Sequence, residues 1–396
     1  MDYDSFQREN LNTSRTNDFH SSKFYESVIS SSDVAESLAR NENEENDPSN
    51  PESFIKLGKE EELKKHRDEA LQIYDKGITL WPNFIELYKL KSLCLCNLGR
   101  FNDAMAFINE KIDKKFNIAD MMCIKGHCYY KNNNKIKALE ITDKVLKIKK
   151  NHQESLFLKA QCLYDLGDNK SALKILDIII KHNPTFSQGL FLKGIILEQD
   201  KKYNEAIESY SQSLNSLNGK GDQKNEVYFC LGRCYQHLEN YKKAIFYYES
   251  LSKFESKGEV YYNLGYCYFE IKQYKRAINN FDLCLVLSYE NEKVLHYKAL
   301  SYISLNNEEK AFRCYKNLIE INANNLESYC YIAKYYIRQN QIADANSYIQ
   351  LANTVIELAT YREEDAQYSI QIKNLENEIK NLIESKKCQC AACLIF

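Results

Sequence analysis

Between residues 51 and 358 the apolar residues recur with the period of a helix. Within YYNLGYCYF (261–269), for example, they follow one another at steps of three and four, at Tyr261, Leu264 and Tyr268. Short polar segments such as NLGRF, DLGDN and HLENY interrupt this pattern and are typical of turns. The pattern therefore predicts helices paired by tight turns.

Alanine recurs at nearly constant spacing through this region, which indicates an internal repeat. The alanines are Ala70, Ala104, Ala138, Ala172, Ala206, Ala244, Ala277, Ala311 and Ala345, and most neighbours lie 34 residues apart. A second series holds only glycine, alanine or serine: Gly58, Ser92, Gly126, Ala160, Gly194, Gly232, Gly265, Ala299 and Ala333. Because antiparallel helices approach closely where side chains are small, we expect both series to mark the helix crossings.

The spacing divides the region into nine helix-turn-helix repeats. Their boundaries are 51–84, 85–118, 119–152, 153–186, 187–220, 225–257, 258–291, 292–325 and 326–358. A single repeat cannot bury its apolar face alone, so we expect the repeats to stack into one core. We interpret the longer segment SLNGKGDQKNE, after the fifth repeat, as a surface insertion, with a joint or a docking point as the alternative.

The best-formed repeats, YNLGYCYFEIKQYKRAINNF and YFCLGRCYQHLENYKKAIFYY, resemble tetratricopeptide repeats. They show that family's order of an aromatic residue, Leu-Gly and Tyr, followed by Ala and another aromatic residue. The family's closing proline occurs only at Pro82 and Pro184, and the second repeat matches poorly. The resemblance implies an all-α fold, a right-handed α-solenoid of stacked helix-turn-helix repeats, that acts as a binding scaffold.

Both flanks of the repeats differ from them. Residues 1–50 are rich in serine and asparagine and hold four basic and eleven acidic residues, which predicts a disordered acidic tail. Residues 360–386 form one predicted helix with an apolar stripe at Tyr368, Ile372, Leu375, Ile379 and Leu382. We expect this helix to cap the last repeat, with a short coiled coil as the alternative.

Composition narrows the class of partner and the compartment. The net charge of −2 provides no basic excess for binding nucleic acid. The start, MDYDSFQREN, does not resemble a signal peptide, and no apolar run approaches the ~20 residues that cross a bilayer. We therefore expect a cytoplasmic protein whose fourteen cysteines stay reduced.

The sequence contains no recognisable motif of an enzyme or a metal site. Its seven histidines are scattered, and it lacks HExxH, a phosphate loop, a GxSxG turn and a calcium loop. We therefore predict no catalytic residue, no metal, no cofactor and no small-molecule substrate. A protein or peptide partner is what the resemblance implies.

The resemblance also implies a concave groove lined by the first helix of each repeat. The candidate groove residues are Tyr130, Phe157, Tyr164, Phe191, Phe229, Arg233, Tyr262, Asn263, Tyr266 and Lys293. Aromatic side chains suit a binding surface, although packing between repeats is the alternative role for each. Family members that hold a chaperone's C-terminal carboxylate use a set of Lys, Asn and Arg. Only Asn263 and Lys293 match that set, so we do not expect this mode of binding.

The last ten residues, KCQCAACLIF, contain Cys393-Leu394-Ile395-Phe396, which is similar to a C-a-a-X prenylation box. A final Phe favours a geranylgeranyl chain, and S-acylation of Cys388 and Cys390 would supply a second anchor. We therefore predict a lipidated tail over 387–396 and a peripheral location on the cytosolic face of a membrane. A metal or redox pair of Cys390 with Cys393, or a chance match, is the alternative.

Two functions are consistent with these observations. The first is an interaction scaffold tethered to a membrane by prenylation. The second is a soluble subunit of a multiprotein assembly, of the cargo-transport or ciliary coat type, in which the C-terminal match is accidental. Cys393 separates them, because the second function gives this residue no role.

Overall fold

The computed structural model describes residues 50–112, 118–217, 222–252, 257–289, 291–358 and 363–393, and within these ranges all regular secondary structure is α-helical. Residues 1–49 of the tail predicted at 1–50 lie outside the described residues, as do residues 218–221 of the insertion. The helices are α1 (Pro51–Leu63), α2 (Arg67–Leu80), α3 (Ile85–Asn97), α4 (Phe101–Ile112), α5 (Ile118–Lys131), α6 (Lys135–Ile148), α7 (Gln153–Asp165), α8 (Asn169–His182), α9 (Ser187–Gln199), α10 (Tyr203–Ser216), α11 (Asp222–His237), α12 (Tyr241–Ser252), α13 (Gly258–Glu270), α14 (Tyr274–Val286), α15 (Asn291–Ser304), α16 (Glu308–Ile321), α17 (Leu326–Arg338), α18 (Ile342–Leu358) and α19 (Glu363–Cys393). The predicted all-α repeat fold is confirmed.

The turn inside each helix pair holds one residue in the left-handed region. These residues are Lys65, Gly99, Asn133, Gly167, Lys201, Glu239, Lys272, Asn306 and Asn340. At Gly99, with φ 75°, the amide of the next residue, Arg100, donates to the carbonyl of Leu95 and closes the turn. Such a left-handed residue ends a helix and satisfies its last carbonyls, so each pair reverses direction within a few residues.

Glycines of the first helices accommodate aromatic rings from the second helices. A Cβ added at Gly194 would lie 2.5 Å from Cε1 of Tyr210, which is fully buried. The same arrangement pairs Gly58 with Tyr74, Gly232 with Tyr248 and Gly265 with Phe281. Both series of small residues were expected to mark the helix crossings, and at these glycines a ring of the second helix fills the space that the missing side chain leaves.

Ion pairs at constant spacing connect the second helix of one repeat to the first helix of the next. We call the following contacts the Lys–Asp ladder: Lys91–Asp75, Lys159–Asp143, Lys193–Asp177 and Lys298–Asp282, at 2.5–2.8 Å. Lys125 occupies the same position and donates to Asn109 at 2.8 Å. The carboxylates are about half exposed, so each pair contributes only about 0–1 kcal/mol and mainly fixes register.

The chain divides into two compact bodies, Met1–Cys230 and Leu231–Phe396, with the boundary inside α11. The first body has a core of buried side chains such as Ile55, Leu87 and Ile124. In the second body, the core around α17 and α18 includes three buried residues of α19: Ile372, Leu375 and Ile379. The last helix is therefore packed on the last repeat, and it extends from Glu363 to Cys393, beyond the predicted end at 386.

Candidate partner-binding face

Four aromatic side chains of the second body lie together on two neighbouring first helices. We call them the aromatic face: Tyr262, Tyr266 and Phe269 of α13, with Tyr297 of α15. The ring centroid of Tyr297 lies 5.2 Å from that of Tyr266 and 5.5 Å from that of Phe269, in both cases edge to face. Tyr262 is 6.4 Å away from the same ring. These are favourable geometries for aromatic pairs.

The helical period explains why α13 presents these rings together. Residues 262, 266 and 269 are spaced by four and three, so they lie on one side of the helix. Tyr266 is buried, with 8% of its surface exposed, whereas Tyr262, Phe269 and Tyr297 are half-buried. Tyr266 therefore forms the floor, and the other three rings keep surface that a partner can contact.

The phenols of this region are held in their neutral form. Burial, followed by the charge of Glu270, raises the pKa of Tyr297 to about 12. The same two causes raise the pKa of Tyr241 to about 12 and raise that of Tyr266 further. At neutral pH the face consequently combines apolar ring surface with hydroxyl groups that can donate hydrogen bonds.

Two predicted groove residues of the first body, Tyr130 and Tyr164, form hydrogen bonds between successive repeats. Tyr130 Oη donates to Asp165 Oδ2 at 2.9 Å, and Tyr164 Oη accepts from Gln199 Nε2 at 2.7 Å. Each of these contacts links the first helices of successive repeats, and both tyrosines are half-buried. Their rings offer only part of their surface to a partner.

Three of the predicted groove residues are core residues of the first body. Phe157 is 5%, Phe191 1% and Phe229 5% exposed. The ring of Phe157 packs edge to face on Phe186 at 5.1 Å, and the ring of Phe191 lies 5.5 Å from that of Tyr210. These rings have almost no surface left for a partner, in line with the alternative role of packing between repeats.

The polar candidates of the second body are more accessible. Arg233 and Asn263 are half-buried and Lys293 is exposed. The side chains of Cys388, Cys390 and Cys393 lie outside those that the structure describes, although the backbone up to Cys393 belongs to α19. The predicted lipidation sites therefore stay a prediction.

One cluster of polar side chains escaped the sequence analysis. Cys123 and His127, one turn apart on α5, meet Glu154 at the start of α7, and a possible ligand atom of each lies within 4.8 Å of the others. The spacing Cys-x-x-x-His on a helix was the available signal. The carboxylate comes from the next repeat, which the sequence alone did not associate with this pair.

Among the described helices, none has both the length and the apolar character that a membrane span requires. This finding concerns only the part of the chain that the structure describes.

Paired helices that repeat along both bodies define the class of protein as an all-α helical-repeat solenoid. A family model for the tetratricopeptide repeat matches residues 226–255, 258–291 and 293–325. A second model, described as anaphase-promoting complex, cyclosome, subunit 3, matches residues 119–178 and 132–213. Together these matches support the tetratricopeptide-repeat family. The search of curated proteins found no match.

Several solved structures are similar to parts of this chain at low sequence identity. The C-terminal part of a TPR repeat-containing protein from Cytophaga hutchinsonii aligns with a TM-score of 0.53 and 22% identity, over 62% of this chain and 98% of that chain. YrrB, a TPR protein with an unusual peptide-binding site, has a TM-score of 0.44 and 17% identity, over 48% and 96%. The APC/C hetero-tetramer Cut9-Hcn1 has a TM-score of 0.46 and 17% identity, over 74% and 56%. At 22% identity, the likeness to the Cytophaga hutchinsonii structure concerns the fold alone.

Proposed function

We propose that this protein is a non-catalytic interaction scaffold that binds a protein or peptide partner on its aromatic face. Tetratricopeptide-repeat proteins generally act as protein-interaction scaffolds. The observation that carries the proposal is the grouping of Tyr262, Phe269 and Tyr297 as half-buried rings around a buried tyrosine floor. Rigid aromatic groups with a polar end are enriched among residues that dominate binding energy. A net charge of −2 favours protein over nucleic acid as the partner.

Paired capture experiments test this proposal. The full chain and its Tyr262→Ala/Phe269→Ala variant are used as bait, with circular dichroism to verify that both are folded. A matched control is Phe246→Ala, because Phe246 is 64% exposed on α12, a second helix outside the aromatic face. We expect partners retained by the wild-type chain and the control to be lost from the double variant. Equal recovery on all three baits would refute the aromatic face as the binding site.

We also propose that the scaffold is tethered to the cytosolic face of a membrane by prenylation of Cys393, with S-acylation of Cys388 and Cys390. The support is the position of Cys393 in the terminal CLIF segment and the two neighbouring cysteines. A prenyl chain buries many CH₂ groups at roughly 0.8 kcal/mol each, but stable anchoring takes a second signal.

Fractionation of wild-type chain beside Cys393→Ser and Cys390→Ser tests the tether. We expect a wild-type membrane pool that Cys393→Ser loses and Cys390→Ser only reduces. Mass spectrometry should find a C-terminal peptide that lacks Leu394-Ile395-Phe396 and carries a prenyl group. An unmodified CLIF end with all three proteins soluble would remove the tether from the proposal.

The match of the subunit 3 family model to residues 119–213 favours a second candidate, a soluble subunit of a multiprotein assembly. Gel filtration of a native extract distinguishes the two candidates. A soluble species far larger than the 46.4 kDa chain, together with an unmodified C-terminus, would support the assembly subunit.

A further inference from the structure

We propose that the first body contains a divalent metal site of the zinc class, formed by Cys123, His127 and Glu154. This inference is independent of the proposed partner binding, because the cluster lies in the other body. It joins α5 to α7, the first helices of two successive repeats.

The geometry of the cluster is close to that of a coordination shell. Sγ of Cys123 lies 4.0 Å from Oε2 of Glu154, and the possible ligand atoms of all three residues lie within 4.8 Å of one another. Zinc binds sulfur at ~2.3 Å and imidazole nitrogen at ~2.0 Å, which places tetrahedral ligands about 3.5 Å apart. Small rotations of the three side chains would therefore bring the donors to coordination distance.

His127 is the observation that points to a ligand. The side chain is buried, and its Nδ1 has no hydrogen-bond partner. Buried polar atoms are nearly always satisfied, so an unpartnered nitrogen on a side chain that belongs to the cluster with Cys123 and Glu154 needs an explanation. The neutral imidazole is the form of histidine that binds metals.

Lys89 orients the carboxylate of this cluster. Its Nζ lies 3.1 Å from Oε1 of Glu154, which leaves Oε2 on the side of Cys123. A charged group that hydrogen-bonds a ligating carboxylate is a usual outer-shell arrangement. The ion pair with Lys89 explains the position of the Glu154 carboxylate, but it provides no hydrogen-bond partner for Nδ1 of His127.

The donor set selects the class of metal. One sulfur, one nitrogen and one oxygen suit Zn²⁺, whereas Mg²⁺ and Ca²⁺ prefer oxygen alone. On binding, the thiol of Cys123 releases its proton to the buffer and becomes a thiolate. Thiolate, carboxylate and a divalent ion then sum to neutrality. A water molecule or a further donor would complete a tetrahedral shell.

Cobalt titration of the full chain tests the site. The background carries serine at Cys388, Cys390 and Cys393, so that tail thiols cannot bind the probe. We expect one Co²⁺ per chain, with thiolate-to-cobalt charge-transfer absorption that Zn²⁺ abolishes and Mg²⁺ does not. The group of Glu61, His66 and Glu69 cannot produce this band, because it holds no thiol. Absence of the band in the folded background would overturn the proposal.

Single substitutions assign the ligands. Cys123→Ala should abolish the band, and His127→Gln and Glu154→Gln should weaken Co²⁺ binding about tenfold or more. Cys128→Ala is the matched control, because Cys128 lies on the same helix with the same 1% exposure and should bind as the background does. A band that survives Cys123→Ala would refute the site. If Cys123→Ala does not fold, thermal unfolding of the serine background protein tests the site instead. We expect Zn²⁺ to raise its Tm and Mg²⁺ to leave it unchanged. The same Tm with and without Zn²⁺ would contradict the proposal.

Discussion

At the scale of single residues, the packing between helices depends on what faces each small side chain. Gly194 lies against the ring of Tyr210, whereas the equivalent positions of the preceding repeat are held by Ala160 and Leu176. The series of small residues could be predicted from the sequence, but not the group that each one faces. The pairs at these equivalent positions differ from repeat to repeat. Gly126 lies near Thr142, and the repeat of Ala299 has Tyr315 at the second position.

This packing can be tested with a double-mutant cycle on one repeat. Gly194→Ala should lower the free energy of unfolding by about 1–3 kcal/mol, because the added methyl group overlaps the ring of Tyr210. Adding Tyr210→Leu recreates the pair found at Ala160 and Leu176, so the double variant should lose at least about 1 kcal/mol less than the sum of the single variants. Urea unfolding of the four proteins measures the cycle, and strict additivity would contradict the interpretation.

The aromatic candidates illustrate a limit of sequence reasoning at the same scale. Phe191 and Phe269 both stand on first helices, yet Phe191 is 1% exposed and Phe269 is half-buried. Helical period alone assigns a face of the helix, but the neighbouring repeat decides which positions of that face remain open. Which positions remain open therefore depends on the size of side chains that lie tens of residues away in the sequence.

At the scale of elements, turns and helix ends follow local chemistry only in part. Gly99 and Gly167 occupy left-handed positions that glycine adopts without strain. Lys65, Lys201 and Glu239 hold the same conformation in other repeats, so tertiary packing overrides their preference. The sequence therefore indicated some turns from glycine, and others from short polar segments such as HLENY and from the 34-residue spacing. For α19, the apolar stripe was visible in the sequence but the end of the helix was not, because no glycine or proline stops it.

The contribution of α19 to the second body can be measured with two isoleucines. Ile372 is 2% exposed in the core with α17 and α18, and Ile370, on the same helix, is 62% exposed. Ile372→Ala should lower the free energy of unfolding by about 2–5 kcal/mol, because it removes buried methyl groups and leaves a cavity. Ile370→Ala should change it by less than about 0.5 kcal/mol. Thermal unfolding measures both variants. Equal losses of stability in Ile372→Ala and Ile370→Ala would argue against packing of α19 on the last repeat.

At the scale of the whole molecule, the all-α repeat architecture was predictable because one pattern recurs along most of the chain. The cysteines also follow a common rule: the eleven that the structure describes are free thiols, and all are buried. Burial raises the pKa of the thiols of Cys94, Cys162 and Cys330 to about 12, which disfavours the reactive thiolate. Cys94, Cys162 and Cys330 therefore act as small apolar residues.

Thiol reactivity should therefore report on folding of the entire chain. Of fourteen cysteines, eleven are described as buried, so at most three should react rapidly with Ellman's reagent in the native protein. Guanidinium should release all fourteen. Replacing Cys388, Cys390 and Cys393 by serine should remove the rapid phase, and more than three rapid thiols would show that the core opens readily.

The Lys–Asp ladder has a consequence for how such a chain changes length during evolution. Lys159 and Lys193 hold equivalent positions one repeat apart, as do their partners Asp143 and Asp177. Deletion of one 34-residue segment would bring Lys193 opposite Asp143, with the same pair of charges at the new junction. Duplication would likewise create a junction already supplied with matching partners. A deletion or duplication of whole 34-residue repeats therefore leaves this contact intact, whereas one of a length that is not a multiple of 34 does not.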